Sequence, residues 1–149
     1  MDVSGNISAV LGQKQSEIFS VTPDTCVDDA VRMMDEKNIG AVLVMKGNKL
    51  VGMLSERDYT RKVMLRGKKS SETKVSEIMS TNLTVTNRNE GVEECLRAMT
   101  DKRFRHLPVL DGGKVIGIVS IGDLVKHVIA SQSATIAHLE SYISGGYSG

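Results

Sequence analysis

Gly117-Ile118-Val119-Ser120-Ile121-Gly122-Asp123 decides the fold, because the same arrangement occurs 65 residues earlier as Gly52-Met53-Leu54-Ser55-Glu56-Arg57-Asp58. Each is an apolar run that ends in serine, with an aspartate three residues on and a helical pattern beyond. On either side of these motifs the register of 65 holds without a gap from Val27–Asp58 against Val92–Asp123. Val27, Arg32, Met34, Lys37, Val44, Gly47, Lys49, Gly52, Ser55 and Asp58 are identical to their counterparts. Identity at turn glycines and polar positions is hard to obtain from a shared hydrophobic period, so the chain reads as one unit used twice.

The unit is β-α-β-β-α. Ile18-Phe19-Ser20-Val21-Thr22-Pro23 and Leu83-Thr84-Val85-Thr86-Asn87 are β-branched and alternating, the signature of short strands. Thr25 followed by Asp28 has the spacing of a capping box. Beyond it Val27, Ala30, Val31 and Met34 form one helical stripe, repeated as Val92, Cys95, Leu96 and Met99. Cys95 thus takes the place of Ala30 as a small core residue. Hairpins follow. Ala41–Met45 and Leu50–Leu54 flank Lys46-Gly47-Asn48-Lys49, and His106–Leu110 and Val115–Val119 flank Asp111-Gly112-Gly113-Lys114. Each half closes with a helix starting near Glu56 or Ile121.

Ile7-Ser8-Ala9-Val10-Leu11 resembles Val75-Ser76-Glu77-Ile78-Met79, each a short helical turn ahead of a repeat. The expected domains are residues 7–66 and 74–130, a polar linker at 67–73, and a helical extension and tail at 131–149. In that extension Val125, Val128, Ile129, Ile136, Leu139 and Ile143 keep helical spacing until Gly145-Gly146. Its own domain or a partner chain would have to cover that stripe.

Composition narrows the function. Among 149 residues, hydrophobic types make up 40% and charged types 25%, ordinary values for a globular protein. Aromatics are 3%, which disfavours the stacking platforms of single-stranded nucleic-acid binders. A net charge of +1 gives no overall pull toward nucleic acid or a membrane surface. No apolar run reaches the roughly 20 residues that span a bilayer, and the first residues carry no basic-then-apolar leader, so a cytoplasmic location is expected. Cys26 and Cys95 stand 69 residues apart with no Cys-x-x-Cys, so no structural zinc site and no metal are expected. His106, His127 and His138 join no nucleophile or metal pattern, and neither an enzyme nor a catalytic cofactor is expected.

Two readings of Ser-x-x-Asp stand side by side. A serine N-cap with an acid at the third position explains each motif as a helix start. The same turn also presents backbone N–H groups and a hydroxyl to an anion, and a carboxylate to vicinal ribose hydroxyls. Arg57, Arg61, Lys62, Arg66, Lys68 and Lys69 form a basic run after the first motif. A solvated face explains it; the alternative function is nucleic-acid or acidic-protein binding through this helix and linker.

The order strand-Thr-Pro, helix, apolar hairpin, Gly-h-h-Ser-x-x-Asp, twice over, resembles the CBS domain pair, or Bateman module. Arg103-Phe104-Arg105-His106-Leu107-Pro108-Val109 is similar to that family's basic-basic-Leu-Pro-Val segment, and the likeness covers about residues 7–130. Glu56-Arg57-Asp58-Tyr59 and Tyr142-Ile143-Ser144-Gly145-Gly146-Tyr147 also resemble the small stand-alone members of bacteria and plant organelles. The resemblance implies an α/β fold in which the two repeats pack through their sheets with pseudo-two-fold symmetry. It further implies clefts for AMP, ADP, ATP or NAD, a regulatory role and a homodimer.

By the family pattern, Asp58 and Asp123 hold ribose. Ser55, Ser120, Thr22 and Thr86 offer hydroxyls toward ribose or phosphate, Arg105 and His106 meet phosphate, and Val42, Leu107 and Pro108 enclose adenine. Guanidinium and imidazole suit phosphate chemically. The first copy departs here, with uncharged Gly40 and Ala41 in place of the basic pair. Arg57 or Arg61 would have to compensate, or that cleft takes a nucleoside or nothing. If only one cleft holds a phosphorylated ligand strongly, the basic pair should line it.

Overall fold

A computed structural model describes residues 5–14, 17–141 and 143. The elements are α1 (Ile7–Lys14), β1 (Ser20–Val21), α2 (Val27–Lys37), β2 (Ala41–Lys46), β3 (Lys49–Ser55), α3 (Glu56–Tyr59), α4 (Val75–Ile78), α5 (Val92–Lys102), β4 (His106–Asp111), β5 (Lys114–Ser120) and α6 (Ile121–Glu140). Helix α3 continues as a wider turn of π type over Thr60–Met64, and a 3-10 turn spans Ser70–Glu72. The chain is therefore a mixed α/β protein with two small sheets and a long C-terminal helix, as the sequence indicates. Tyr142 and residues 144–149, with the Gly-Gly stop and the tail motif, lie outside the described residues.

Two compact units form. One comprises Met1–Ser16, Thr86–Asp111 and Gly117–Gly149; the other comprises Glu17–Val85 and Gly112–Ile116. They are called unit 1 and unit 2 below. The helical turn ahead of each repeat is built into the unit that carries the other repeat's first long helix, α2 or α5. In unit 2, Val75 N–H donates to Thr25 O at 2.8 Å, Ser76 N–H to Pro23 O at 3.0 Å, and Val27 N–H to Thr73 O at 2.8 Å. In unit 1 the same three bonds recur: Ile7 to Glu90 O at 2.9 Å, Ser8 to Arg88 O at 2.9 Å, and Val92 to Gly5 O at 3.0 Å. Sequence similarity between Ile7–Leu11 and Val75–Met79 is thus similarity of docking.

The cores follow the repeat. Unit 2 buries Val27, Ala30, Met34, Val42, Val44, Leu54, Val63, Val75 and Ile78. Unit 1 buries Val92, Cys95, Met99, Leu107, Val109, Val119, Ile7 and Val10, most of them in the register of 65. Cys95 is 1% exposed, a core thiol as expected from its match to Ala30.

In unit 2 the sheet runs β1-β2-β3, with β1 parallel to β2 and β2 antiparallel to β3. The second sheet is β4-β5. Gly47 at φ +62 opens the first hairpin turn, while Gly112 and Gly113 both have positive φ, the pair a type I′ turn requires.

Two expectations need correction. The strand read over Leu83–Asn87 shrinks to a single parallel bridge between Thr86 and Val109. The cause is Pro108. In unit 2 Leu43 N–H reaches Phe19 O at 3.4 Å and lengthens the ladder; Pro108, in the place of Leu43, has no N–H for Thr84. Nor does Thr25 cap α2. Its hydroxyl accepts from Thr22 N–H at 3.1 Å, and the caps of α2 and α5 are Cys26 and Gly91, without side-chain bonds.

Candidate functional site

Both Ser-x-x-Asp turns are complete capping boxes. At the start of α3, Asp58 N–H donates to Ser55 Oγ at 3.2 Å and Ser55 N–H returns to Asp58 Oδ2 at 3.0 Å. At the start of α6, Asp123 N–H donates to Ser120 Oγ at 3.0 Å and Ser120 N–H to Asp123 Oδ2 at 2.8 Å. These serines sit where an apolar strand hands over to a helix, so local chemistry alone produces the geometry.

The surroundings of Asp58 go beyond capping. Asp58 is buried, and its carboxylate also takes Ser55 Oγ–H at 3.1 Å, Ser80 Oγ–H at 3.2 Å and Lys62 Nζ at 3.0 Å. A carboxylate has about four acceptor sites, and these partners occupy them. Lys62 also donates to Ile78 O at 3.0 Å, which draws it out of the basic run into the packing of unit 2. Sequence reasoning missed Lys62 and Ser80 as partners. The i, i+4 spacing could have found Lys62; nothing local marks Ser80.

Other residues of the expected site divide by unit. Thr22 is exposed with its hydroxyl 3.0 Å from Thr25 Oγ1, and Arg57 is exposed at the second position of α3. Val42 is a core side chain, 1% exposed. In unit 1, Thr86 is buried, donates its hydroxyl to the Glu90 carboxylate and lies 3.4 Å from Cys95 Sγ. Burial pushes the Cys95 thiol above its ordinary value. Leu107 is a core residue like Val42, and Pro108 is buried beside it.

Arg105 is exposed, and its carbonyl accepts from Ile121 N–H at 2.8 Å. The basic pair Arg105-His106 therefore enters β4 beside the turn that holds Ser120 and Asp123. In unit 2 the same bond joins Glu56 N–H to Gly40 O at 3.0 Å, with no charged side chain at that strand entrance. Among the described residues, no group of His, Cys, Asp or Glu could hold a metal ion. Among the same residues, no helix is long and apolar enough to cross a membrane.

Two compact α/β units with matched caps, hairpins and docked helical turns define a tandem-repeat module. Residues 13–65 and 75–130 each match the sequence profile of the CBS domain, and the chain belongs to that family as a tandem pair. It is 41% identical over 132 residues to the CBS domain-containing protein CBSX3, mitochondrial, of Arabidopsis thaliana, covering 85% of this chain and 64% of that one. It is also 32% identical over 128 residues to CBS domain-containing protein YhcV of Bacillus subtilis, covering 86% of this chain and 91% of that one. The chain thus spans slightly less than two thirds of the plant protein.

Among solved structures, a CBS-domain chain from Burkholderia ambifaria superposes with a TM-score of 0.82 at 45% identity, over 85% of this chain and 96% of that one. The CBS-domain protein ATU1752 of Agrobacterium tumefaciens gives 0.77 at 33%, over 81% and 97%. The CBS pair of MJ0100, solved with 5′-methylthioadenosine and S-adenosyl-L-methionine, shares the fold at 22% identity and a TM-score of 0.72, over 81% and 93%.

Proposed function

We propose that the chain is a non-catalytic regulatory module that binds an adenine nucleotide (AMP, ADP or ATP, with NAD as an alternative) and acts through a homodimer or a partner protein in the cytoplasm. The observation that carries it is the basic pair Arg105-His106 beside the Ser120–Asp123 turn, with Arg105 O one hydrogen bond from Ile121. Asp123 accepts ribose hydroxyls, Ser120 offers its hydroxyl to the sugar or phosphate, Arg105 and His106 neutralise phosphate, and Leu107 and Pro108 back the adenine; Thr86, assigned a hydroxyl role by the family pattern, must give up its bond to Glu90 to take part. Around the first turn, Asp58, Ser55 and Val42 take the equivalent parts, and Thr22 and Arg57 add a hydroxyl and a charge without counterparts in the register of 65. There Gly40 offers no side-chain charge, so this second position is the weaker one. The adenosine compounds seen with MJ0100 make adenosine the moiety to try first. Regulation further requires the nucleotide to bind two conformations unequally.

Isothermal titration with AMP, ATP and NAD tests the reading. A ligand at 100 times its Kd stabilises the fold by about 2.7 kcal/mol, an easily measured thermal shift. Asp123→Ala is expected to weaken binding far more than Lys69→Ala. No heat and no thermal shift at millimolar nucleotide would remove the proposal.

A further inference from the structure

Unit 2 presents a segment that its own packing does not use. After the capping box of α3 come Arg61, Lys62, Arg66, Lys68 and Lys69, with no acid between Asp58 and Glu72. Lys62 is bonded to Asp58 and to Ile78 O. Arg61, Arg66, Lys68 and Lys69 are exposed and make no ion pair with a described residue. Among these cations stand Met64, 64% exposed, and Leu65, 73% exposed. Leu65 is the most exposed large apolar side chain among the described residues, and of this apolar run the core takes Val63 alone. Every residue from Met64 to Lys69 is exposed, so the segment is a projection of the surface.

Backbone bonds hold the projection in one shape. Leu65 N–H donates to Thr60 O at 2.9 Å, which closes the π-type turn, and Lys68 N–H donates to Val63 O at 3.0 Å. Gly67 turns the chain at φ +67, and Thr73 Oγ1 donates to Lys69 O at 2.7 Å. In the register of 65, Leu65, Arg66, Gly67, Lys68 and Lys69 fall on Ala130, Ser131, Gln132, Ser133 and Ala134. The second copy is uncharged there, so the repeat as such requires neither the cations nor the leucine.

We propose that this projection docks on an anionic lipid surface. Arg61, Arg66, Lys68 and Lys69 meet the headgroup phosphates, and Met64 and Leu65 enter the acyl boundary beneath them. The long cationic side chains suit that border, because their apolar stems lie along lipid while their charged ends stay at the phosphates. The attraction is local: the chain as a whole carries only +1, so its remainder is net negative. Nucleic acid would take the same cations and leave Met64 and Leu65 in water, and residues 61–69 hold no aromatic ring to stack on a base. A specific protein partner takes about 20–30 residues a side, whereas the uncommitted groups all fall within residues 61–69. The docking stands apart from the nucleotide reading.

The test uses the full chain with vesicles of equimolar phosphatidylserine and phosphatidylcholine, and with vesicles of phosphatidylcholine alone. Cosedimentation is expected with the first and not with the second, and it should weaken as salt is raised. Arg66→Gln with Lys68→Gln and Lys69→Gln should lower the partition about a hundredfold, at about fivefold a charge. Met64→Ser with Leu65→Ser should lower it about tenfold. All five side chains are exposed, so thermal unfolding should stay unchanged in both variants. The chain has no Trp, so Leu65→Trp adds a single reporter. Its emission should shift to the blue, and escape acrylamide, only when anionic vesicles are added.

No cosedimentation with anionic vesicles at low salt overturns the proposal, and so does binding that ignores Met64 and Leu65. A DNA duplex or polyglutamate that binds through these residues while the vesicles do not gives the segment to nucleic acid or an acidic protein, and overturns the lipid. Emission already blue before vesicles are added shows Leu65 covered within the free protein, which overturns it as well.

Discussion

Lys62 Nζ lies 3.0 Å from Asp58 Oδ1 across one helical turn, and the same register in the second copy holds His127, whose Nδ1 is 2.9 Å from Gln13 Oε1 on α1. The first copy therefore ties its capping aspartate to a side chain of the same helix, and in the second copy that position fastens α6 to the docked N-terminal helix. Lys62 also reaches Ile78 O, so one ammonium holds α3 and α4 together. Its side chain is 40% exposed and that of Asp58 12% exposed, between the surface and buried limits of ion pairing. Lys62→Met is expected to cost about 1–2 kcal/mol in urea unfolding. A change below a few tenths would mean that Ser55 and Ser80 alone satisfy the carboxylate.

Gly52 and Gly117 occupy equivalent places under the docked helical turns, yet their tolerance should differ. A Cβ at Gly52 would lie 2.7 Å from Met79 Sδ and 3.0 Å from Ser80 O. That carbonyl is fixed by the Met53 N–H bond at 3.0 Å and cannot retreat. At Gly117 the close atom is Leu11 Cδ2 at 2.7 Å, the far end of a movable side chain. Gly52→Ala should therefore cost about 2–3 kcal/mol and Gly117→Ala about 1 kcal/mol. Leu11→Ala should largely cancel the clash at Gly117, whereas Met79→Ala should leave most of the penalty at Gly52. Double-mutant cycles in denaturant read this directly.

Much of this architecture is legible in the chain because the repeat repeats its signals. Turn glycines, the Ser-x-x-Asp caps and the apolar stripes are local, and each is read twice. The exchange of α1 and α4 is not legible, since Ile7 bonds Glu90 and Val75 bonds Thr25 through backbone groups that carry no sequence mark. The same exchange brings Ser80 to Asp58, so that partner was hidden too. Thr25 misleads for a different reason. Threonine is a good N-cap, but its hydroxyl is equally good at closing the Thr22 turn, and here the turn wins.

Cys95 offers a prediction in pH. Burial raises its thiol above the ordinary 9.0; the Thr86 hydrogen bond opposes this, and the charges of Glu90 and Glu94 add to it. The native state therefore keeps its proton after the unfolded chain has lost it. Stability from this group is fully present below pH 9.0 and is lost as pH rises from there toward the folded value. The slope in that window can approach about 1.4 kcal/mol per pH unit. Cys95→Ala, which copies Ala30 of the first repeat, should remove that part of the alkaline decline at a cost of about 1 kcal/mol near neutral pH. Lysines and tyrosines titrate in the same range, so the quantity to compare is the difference between the two proteins. Parallel curves above pH 9.0 would show that the thiol does not contribute.

Pro108 tests the account of the missing strand. If the absent N–H is what confines the pairing of Leu83–Asn87 to Thr86, then Pro108→Leu, which copies buried Leu43, should supply a donor to Thr84 O. The gain of one hydrogen bond, about 0.5–1.5 kcal/mol, is offset by the unfolded-state freedom that loss of proline restores, about 0.4–1 kcal/mol. Global stability should hence change little, and hydrogen exchange is the better readout. The new amide at position 108 should be protected to the same degree as that of Leu110, which already donates to Thr86 O at 2.9 Å. Exchange at position 108 as fast as in an unstructured peptide would show that something other than proline ends the ladder, and the correspondence between Leu43 and Pro108 would lose its explanatory force.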